Sequence, residues 1–124
     1  MSWLISPLLL TVQSNRCPGD ITVSSSLQMK SGNRYIVNST SLITLTLPRQ
    51  ACKGESIFIE DIGTGRFRIA QLDNQQIQIG EYTTSYGLTG RIDSIEEGTS
   101  LELLCVIPNF GWLIRDINCN ISVV

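Results

Sequence analysis

The chain contains no histidine. That removes the commonest general base, the commonest zinc ligand and every Ser-His or Cys-His nucleophile arrangement. Its adjacent carboxylates are Glu60-Asp61 and Glu96-Glu97. Neighbours on a strand point to opposite faces, so neither pair presents two acids to one substrate. Hydrolysis of a glycoside needs two carboxyls held roughly 5–10 Å apart, and no spacing here selects such a pair. Both pairs read as solvated turn charges. Gly63-Thr64-Gly65 is followed by no helical pattern, whereas a phosphate cradle needs a helix N-terminus after its glycines, so it reads as a hairpin turn. Thr83-Thr84-Ser85 offers hydroxyls but no base to activate them. The expectation is no catalytic residue, no cofactor, no metal ligand set and no enzymatic activity.

Cys17, Cys52, Cys105 and Cys119 form no CxxC pair, and zinc would need all four to converge from distant points. Cys105 lies within the apolar run LELLCVI and reads as a small buried hydrophobe. Free thiols in a chain made in a reducing compartment are expected, with two disulfides as the alternative. A net charge of −2 and the absence of any Lys/Arg run argue against nucleic acid as a partner. Charged residues make up 16% of the chain, below the roughly 25% usual for soluble domains, which suits a surface partly covered in an assembly.

The polar residues that stand out are uncharged. Gln71, Gln75, Gln76 and Gln78 occupy positions where a solvated strand usually shows Lys or Glu. An amide both donates and accepts, so Gln can pair with its own copy near a symmetry axis where like charges would repel. These four are the expected oligomer contacts. Downstream, Tyr82 and Tyr86 flank Thr83 and Thr84 in a loop with little else that is apolar, the kind of aromatic that stacks on sugars or anchors a protein interface. Tyr82, Thr83, Thr84 and Tyr86 are the expected receptor or partner loop; Trp112, beside Ile114, is expected in the core.

Alternation positions these residues. Short runs rich in Ile, Val and Thr recur every 8–12 residues between turns: LQMK and RYIVN around Ser31-Gly32-Asn33, SLITLTL closed by Pro48, SIFIEDI, FRIAQ, QIQI, RIDSI, SLELLCVI, FGWLIRD and NISVV. No segment holds a 3.6-residue period over three turns. The expected fold is all-β, a single β-sandwich or jelly-roll-like barrel over residues 27–124, with SLELLCVI central. Residues 1–26 differ. Trp3, Leu4, Ile5, Leu8, Leu9 and Leu10 form an apolar stretch that either anchors the chain to a partner or supplies the first strand pair of the same domain. The stretch has no basic leader, is interrupted by Pro7, precedes no small-residue cleavage site and is too short to span a bilayer; neither export nor membrane insertion is expected. The sequons Asn38-Ser39-Thr40 and Asn120-Ile121-Ser122 read as chance matches.

The order of these features resembles a β-structured knob domain of bacteriophage tail fibres and related adhesin-like virion proteins. The resemblance covers residues 28–124 and rests on Leu47-Pro48, Gly54-Glu55, Phe67-Ile69-Gln71, Gln76-Ile77-Gly80, Thr83-Thr84-Gly87, Cys105 and Asn120-Ile121-Val123. Phe67 stands where other members carry tryptophan, and the Gly-rich turn before it is reduced to Gly63 and Gly65. The resemblance implies a non-enzymatic homotrimeric virion protein, made in the host cytoplasm. Self-association, other virion proteins bound through the N-terminal arm, and a host surface glycan or protein are the expected partners. A capsid decoration (cement) protein is the alternative, because no coiled-coil or collagen-like shaft precedes the knob. A carbohydrate-binding or depolymerase domain is the alternative from another class.

Overall fold

A computed structural model describes residues 20–118 and 120–124; the anchor residues Trp3, Leu4, Ile5, Leu8, Leu9 and Leu10 lie outside the described residues, as do Cys17 and Cys119. Wherever Ile, Leu or Val alternates with a polar residue, the chain forms a strand whose apolar members turn inward. The strands are β1 (Asp20–Val23), β2 (Leu27–Gln28), β3 (Arg34–Val37), β4 (Ile43–Thr46), β5 (Ser56–Asp61), β6 (Phe67–Ala70), β7 (Gln76–Ile79), β8 (Tyr82–Thr83), β9 (Arg91–Ser94), β10 (Ser100–Ile107), β11 (Gly111–Arg115) and β12 (Ile121–Val123). Among the described residues, a 3-10 turn spans Gly87–Thr89. With 48% strand and 3% helix the protein is all-β.

Two mixed sheets pack as a sandwich. The larger runs β1-β3-β5-β10-β11-β7-β8 and the smaller β12-β9-β6-β4-β2. From β1 to β6 the chain alternates between sheets, and each circuit lays a strand parallel to its predecessor: β1, β3 and β5 in one sheet, β2, β4 and β6 in the other. The β10–β11 hairpin then enters between β5 and β7, antiparallel to β5, while β11 pairs in parallel with β7. One hydrophobic cluster fills the space between sheets, with Tyr35, Ile57, Ile59, Leu103 and Trp112 from the larger and Leu45, Phe67, Ile69 and Ile92 from the smaller. SLELLCVI is central, as its composition implies. Cys105 is buried and Cys52 exposed, and both carry free thiols.

Several sequence-based expectations need correction. A jelly roll is antiparallel, whereas this winding makes parallel ladders. LQMK and RYIV flank a turn but enter different sheets, because β2 pairs with β4 and β3 with β1 and β5. Within residues 1–26, Asp20–Val23 is β1: Val23 is buried, and the β1–β3 ladder makes these four residues part of the sandwich, the alternative that the sequence leaves open for this stretch. Gly63-Thr64-Gly65 is a crossover between sheets and not a hairpin turn. This turn lies directly on the preceding one, with the Gly65 amide donating to the Ser39 carbonyl at 2.8 Å. A Cβ on Gly65 would meet the Ser41 carbonyl oxygen at 2.3 Å, and one on Gly63 the Ser39 oxygen at 2.5 Å. Both glycines serve close stacking of backbone on backbone.

Asp61 is a further correction, since it is buried and not a solvated turn charge. One carboxylate oxygen accepts the Gly63 amide at 3.0 Å; the other has no partner among the described residues. Desolvation pushes its pKa above the ordinary carboxylate value, opposed by the Gly63 amide and Arg66 and reinforced by Glu97. A carboxyl whose folded pKa is raised contributes stability that is full below its unfolded value and lost as pH rises through the folded one. Asp61→Asn should therefore be more stable than the parent at pH 7, with the difference closing toward about pH 4 in denaturant titrations. A pH-independent difference would contradict this origin. Gly65→Ala should cost about 2 kcal/mol or more in the same assay, as a Cβ forced against backbone has no flexible neighbour to displace.

Candidate functional site

The described residues contain no cluster of His, Cys, Asp and Glu that could hold a metal ion. The feature with recognisable chemistry is a hollow of about 160 Å³ on the outer face of the larger sheet, where β7, β11 and the β10–β11 turn meet. It arises from register. Ile77 points inward, so Gln76 and Gln78 point outward from β7. Beside Gln76 in the parallel pairing stands Gly111, which has no side chain to fill the surface. A Cβ on Gly111 would meet Ile107 Cβ at 2.8 Å, so a larger residue would also crowd the wall of the hollow.

Two exposed aromatics flank it. Phe110 comes from the tight β10–β11 turn, in which Asn109 adopts a positive φ of 68°. Tyr86 follows β8, and its hydroxyl donates to Asn74 Oδ1 at 3.1 Å, which fixes the ring's direction. Tyr86 is 63% exposed and Phe110 47%, so both keep free ring surface. The Gln76 amide nitrogen donates to the Thr84 carbonyl at 2.8 Å, and that of Gln78 to the Gly80 carbonyl at 3.0 Å. Their Oε1 atoms have no partner among the described residues and are available as acceptors. Thr83 adds a hydroxyl, Trp112 lies beneath, and no titratable group other than Tyr86 lines the hollow.

Of the residues predicted as oligomer contacts, Gln71 and Gln75 are misassigned. Both are buried and spent within the chain. The Gln71 amide nitrogen lies 2.7 Å from the Gln75 carbonyl, 2.8 Å from that of Gly87 and 3.0 Å from that of Ser85, and its oxygen accepts the Thr84 hydroxyl. The Gln75 nitrogen donates to the carbonyls of Pro48 at 2.9 Å and Asn109 at 3.0 Å, and its oxygen accepts the Leu72 amide at 2.7 Å. Neither amide can meet a second copy. Gln76 is half-buried and Gln78 exposed, and both belong to the hollow.

The predicted receptor loop also divides. Thr84 is buried, its hydroxyl accepting the Ile77 amide at 2.9 Å, so it supports the loop and faces no ligand. Tyr82 is exposed but lines a different groove, beside β12. Tyr86 and Thr83 reach the hollow. Phe110 and Asn74 were missed. Phe110 reads as the first residue of a strand; its position directly after Pro108-Asn109 is the signal that places it on a turn. Asn74, with φ of 69°, reads only as turn chemistry.

No family model matches the chain, and no curated protein matches it.

The Gln71 network sets the shape of the loop that carries Tyr86. Gln71→Ala should cost about 3 kcal/mol, because it removes a donor from the carbonyls of Gln75, Ser85 and Gly87 and the acceptor of the buried Thr84 hydroxyl. Hydrogen exchange at the Gly87 and Gly90 amides should accelerate along with it. Gln78→Ala, at an exposed position, should change stability by less than about 0.5 kcal/mol in the same denaturant titration.

Proposed function

We propose that this chain is a non-enzymatic virion surface module of the tail-fibre or receptor-binding type, acting as a homotrimer and using the Tyr86–Phe110 hollow to hold a host surface glycan. The observation that carries the binding reading is the pairing of two exposed ring faces with uncharged acceptors, Gln76 Oε1 and Gln78 Oε1. Aromatic faces stack on the apolar side of a pyranose, and amide oxygens take its hydroxyl protons. The volume lies below the roughly 300–1,000 Å³ of an enclosing small-molecule cavity, which suits a shallow subsite for one ring of a longer chain. Absence of charge in the lining favours a neutral saccharide over an anionic one. The virion assignment rests on the resemblance of residues 28–124 and the low overall charge.

The cement reading has an observation of its own. Leu42, Ile62 and Ile95 are exposed, at 52%, 60% and 48%, on the turns after β3, β5 and β9; the first two turns are joined by the Gly65–Ser39 backbone bond, and the third meets the end of β5 through the Asp61–Thr99 bond. An apolar edge of that kind suits contact with a larger assembly.

A glycan array probed with the intact protein tests the first reading. Neutral oligosaccharides should be retained, and Tyr86→Ala and Phe110→Ala should each weaken binding by about tenfold while leaving the thermal midpoint unchanged. Equal binding by parent and variants would remove the hollow as the site. Immuno-electron microscopy that places the protein across the capsid surface instead of at the tail would favour the cement reading.

A further inference from the structure

Beside the hollow, β10 carries one residue more than β11 opposite it. Cys105 stands opposite Trp112, but Ile107 and not Val106 stands opposite Gly111, so Val106 is the extra residue of a β-bulge. Regular alternation from the buried Cys105 would turn Val106 outward and Ile107 into the core. The bulge overrides it. Ile107 is 57% exposed, Val106 is half-buried, and both residues line the hollow between Tyr86 and Phe110. Gly111 makes room for this arrangement: a Cβ there would meet Cβ and Cγ1 of Ile107 at 2.8 and 2.9 Å, so the glycine lets Ile107 lie over β11. The hollow therefore has two unlike banks. β10 supplies an aliphatic one, Val106 and Ile107, while β7 and β8 supply the amide oxygens of Gln76 and Gln78 and the Thr83 hydroxyl.

We propose that the hollow takes a neutral N-acetylated hexosamine and selects it by the acetamido methyl. The inference rests on the glycan reading above and narrows it to one class of sugar. An unsubstituted hexose has one apolar surface, the ring face that stacks on an aromatic, and hydroxyls elsewhere. A hydroxyl turned toward Val106 and Ile107 would give up its hydrogen bonds to water with no partner in return. An acetamido group sets a methyl there and adds no charge, in keeping with a lining whose one titratable group is Tyr86. The span between the banks separates this sugar from others that carry a methyl. β11 lies between β10 and β7, so two strand spacings of about 4.8 Å divide the aliphatic bank from the amides. A ring whose hydroxyls reach Gln76 and Gln78 must hold its methyl well away from itself. Across a trans amide the methyl stands about 3.8 Å from the ring carbon, as successive Cα atoms do, whereas in a 6-deoxyhexose it is bonded to the ring directly, at about 1.5 Å.

The test titrates the intact protein calorimetrically with short oligosaccharides of N-acetylglucosamine, of glucose and of a 6-deoxyhexose. The N-acetylated chain should bind about tenfold more tightly than either of the others, which is what one packed methyl group contributes to discrimination. Ile107→Ser, at an exposed position and checked for an unchanged thermal midpoint, should bring the ratio of N-acetylglucosamine to glucose affinity to about one. Val106→Thr, which keeps the side chain's shape and swaps a methyl for a hydroxyl, should lower the same ratio. Equal affinity for the N-acetylated and glucose chains, equal affinity for the 6-deoxy chain, or a ratio that survives in both variants would overturn this inference and leave the glycan reading standing. Binding of no neutral chain at all would remove both.

Discussion

Two buried glutamines hold the molecule's loops in place. Turns at the end of a sandwich carry backbone carbonyls that no ladder satisfies, and each left bare inside a protein costs about 1–3 kcal/mol. Gln75 reaches the carbonyls of Pro48 and Asn109, tying the turn after β4 to the turn between β10 and β11. Gln71 reaches those of Gln75, Ser85 and Gly87 and accepts the Thr84 hydroxyl. Segments far apart in sequence thus share one polar core. A charged side chain could not replace these amides, because the sites need donors and acceptors together in a place that excludes water.

The surface hollow depends on that core. Tyr86 can stand over Gln76 because Gln71 and Thr84 fix the loop between β8 and the 3-10 turn. Phe110 can face it because Asn109, anchored by Gln75 and accepting the Ala51 amide at 2.9 Å, holds the β10–β11 turn. The same glutamine-rich stretch therefore does two jobs. Its buried members organise the loops, while its outward members on β7 line the hollow. The chemistry presented there is that of ring faces and amides.

Half of the glutamine signal was legible from residue type and half was misleading. The uncharged character of Gln71 and Gln75 suits their place away from bulk water, whereas Gln78 is exposed. Composition could not say that the partner of Gln71 and Gln75 is the chain's own backbone. Tyr86 was legible as an exposed aromatic on a loop; Phe110 was not, since only its place across from β7 gives it a role. Asp61 shows the same limit, because parity along a strand predicts that Glu60 and Asp61 face opposite ways but not which face is dry.

By itself, the sequence determined the all-β character, the inward faces of most strands, the turns at Asn74, Gly98 and Asn109, and the central place of SLELLCVI. These follow from period-two burial and from the backbone freedom of particular residues, which are local properties. Tertiary structure alone decided which strands pair. The alternation of β1 to β6 between sheets, the insertion of β10–β11 beside β5, and the register that sets Gly111 beside Gln76 all depend on contacts between distant segments. A strand's pattern records that one face is buried and leaves open which neighbour lies along its edge. The hydrogen bonds of a ladder come from backbone groups that every residue carries alike.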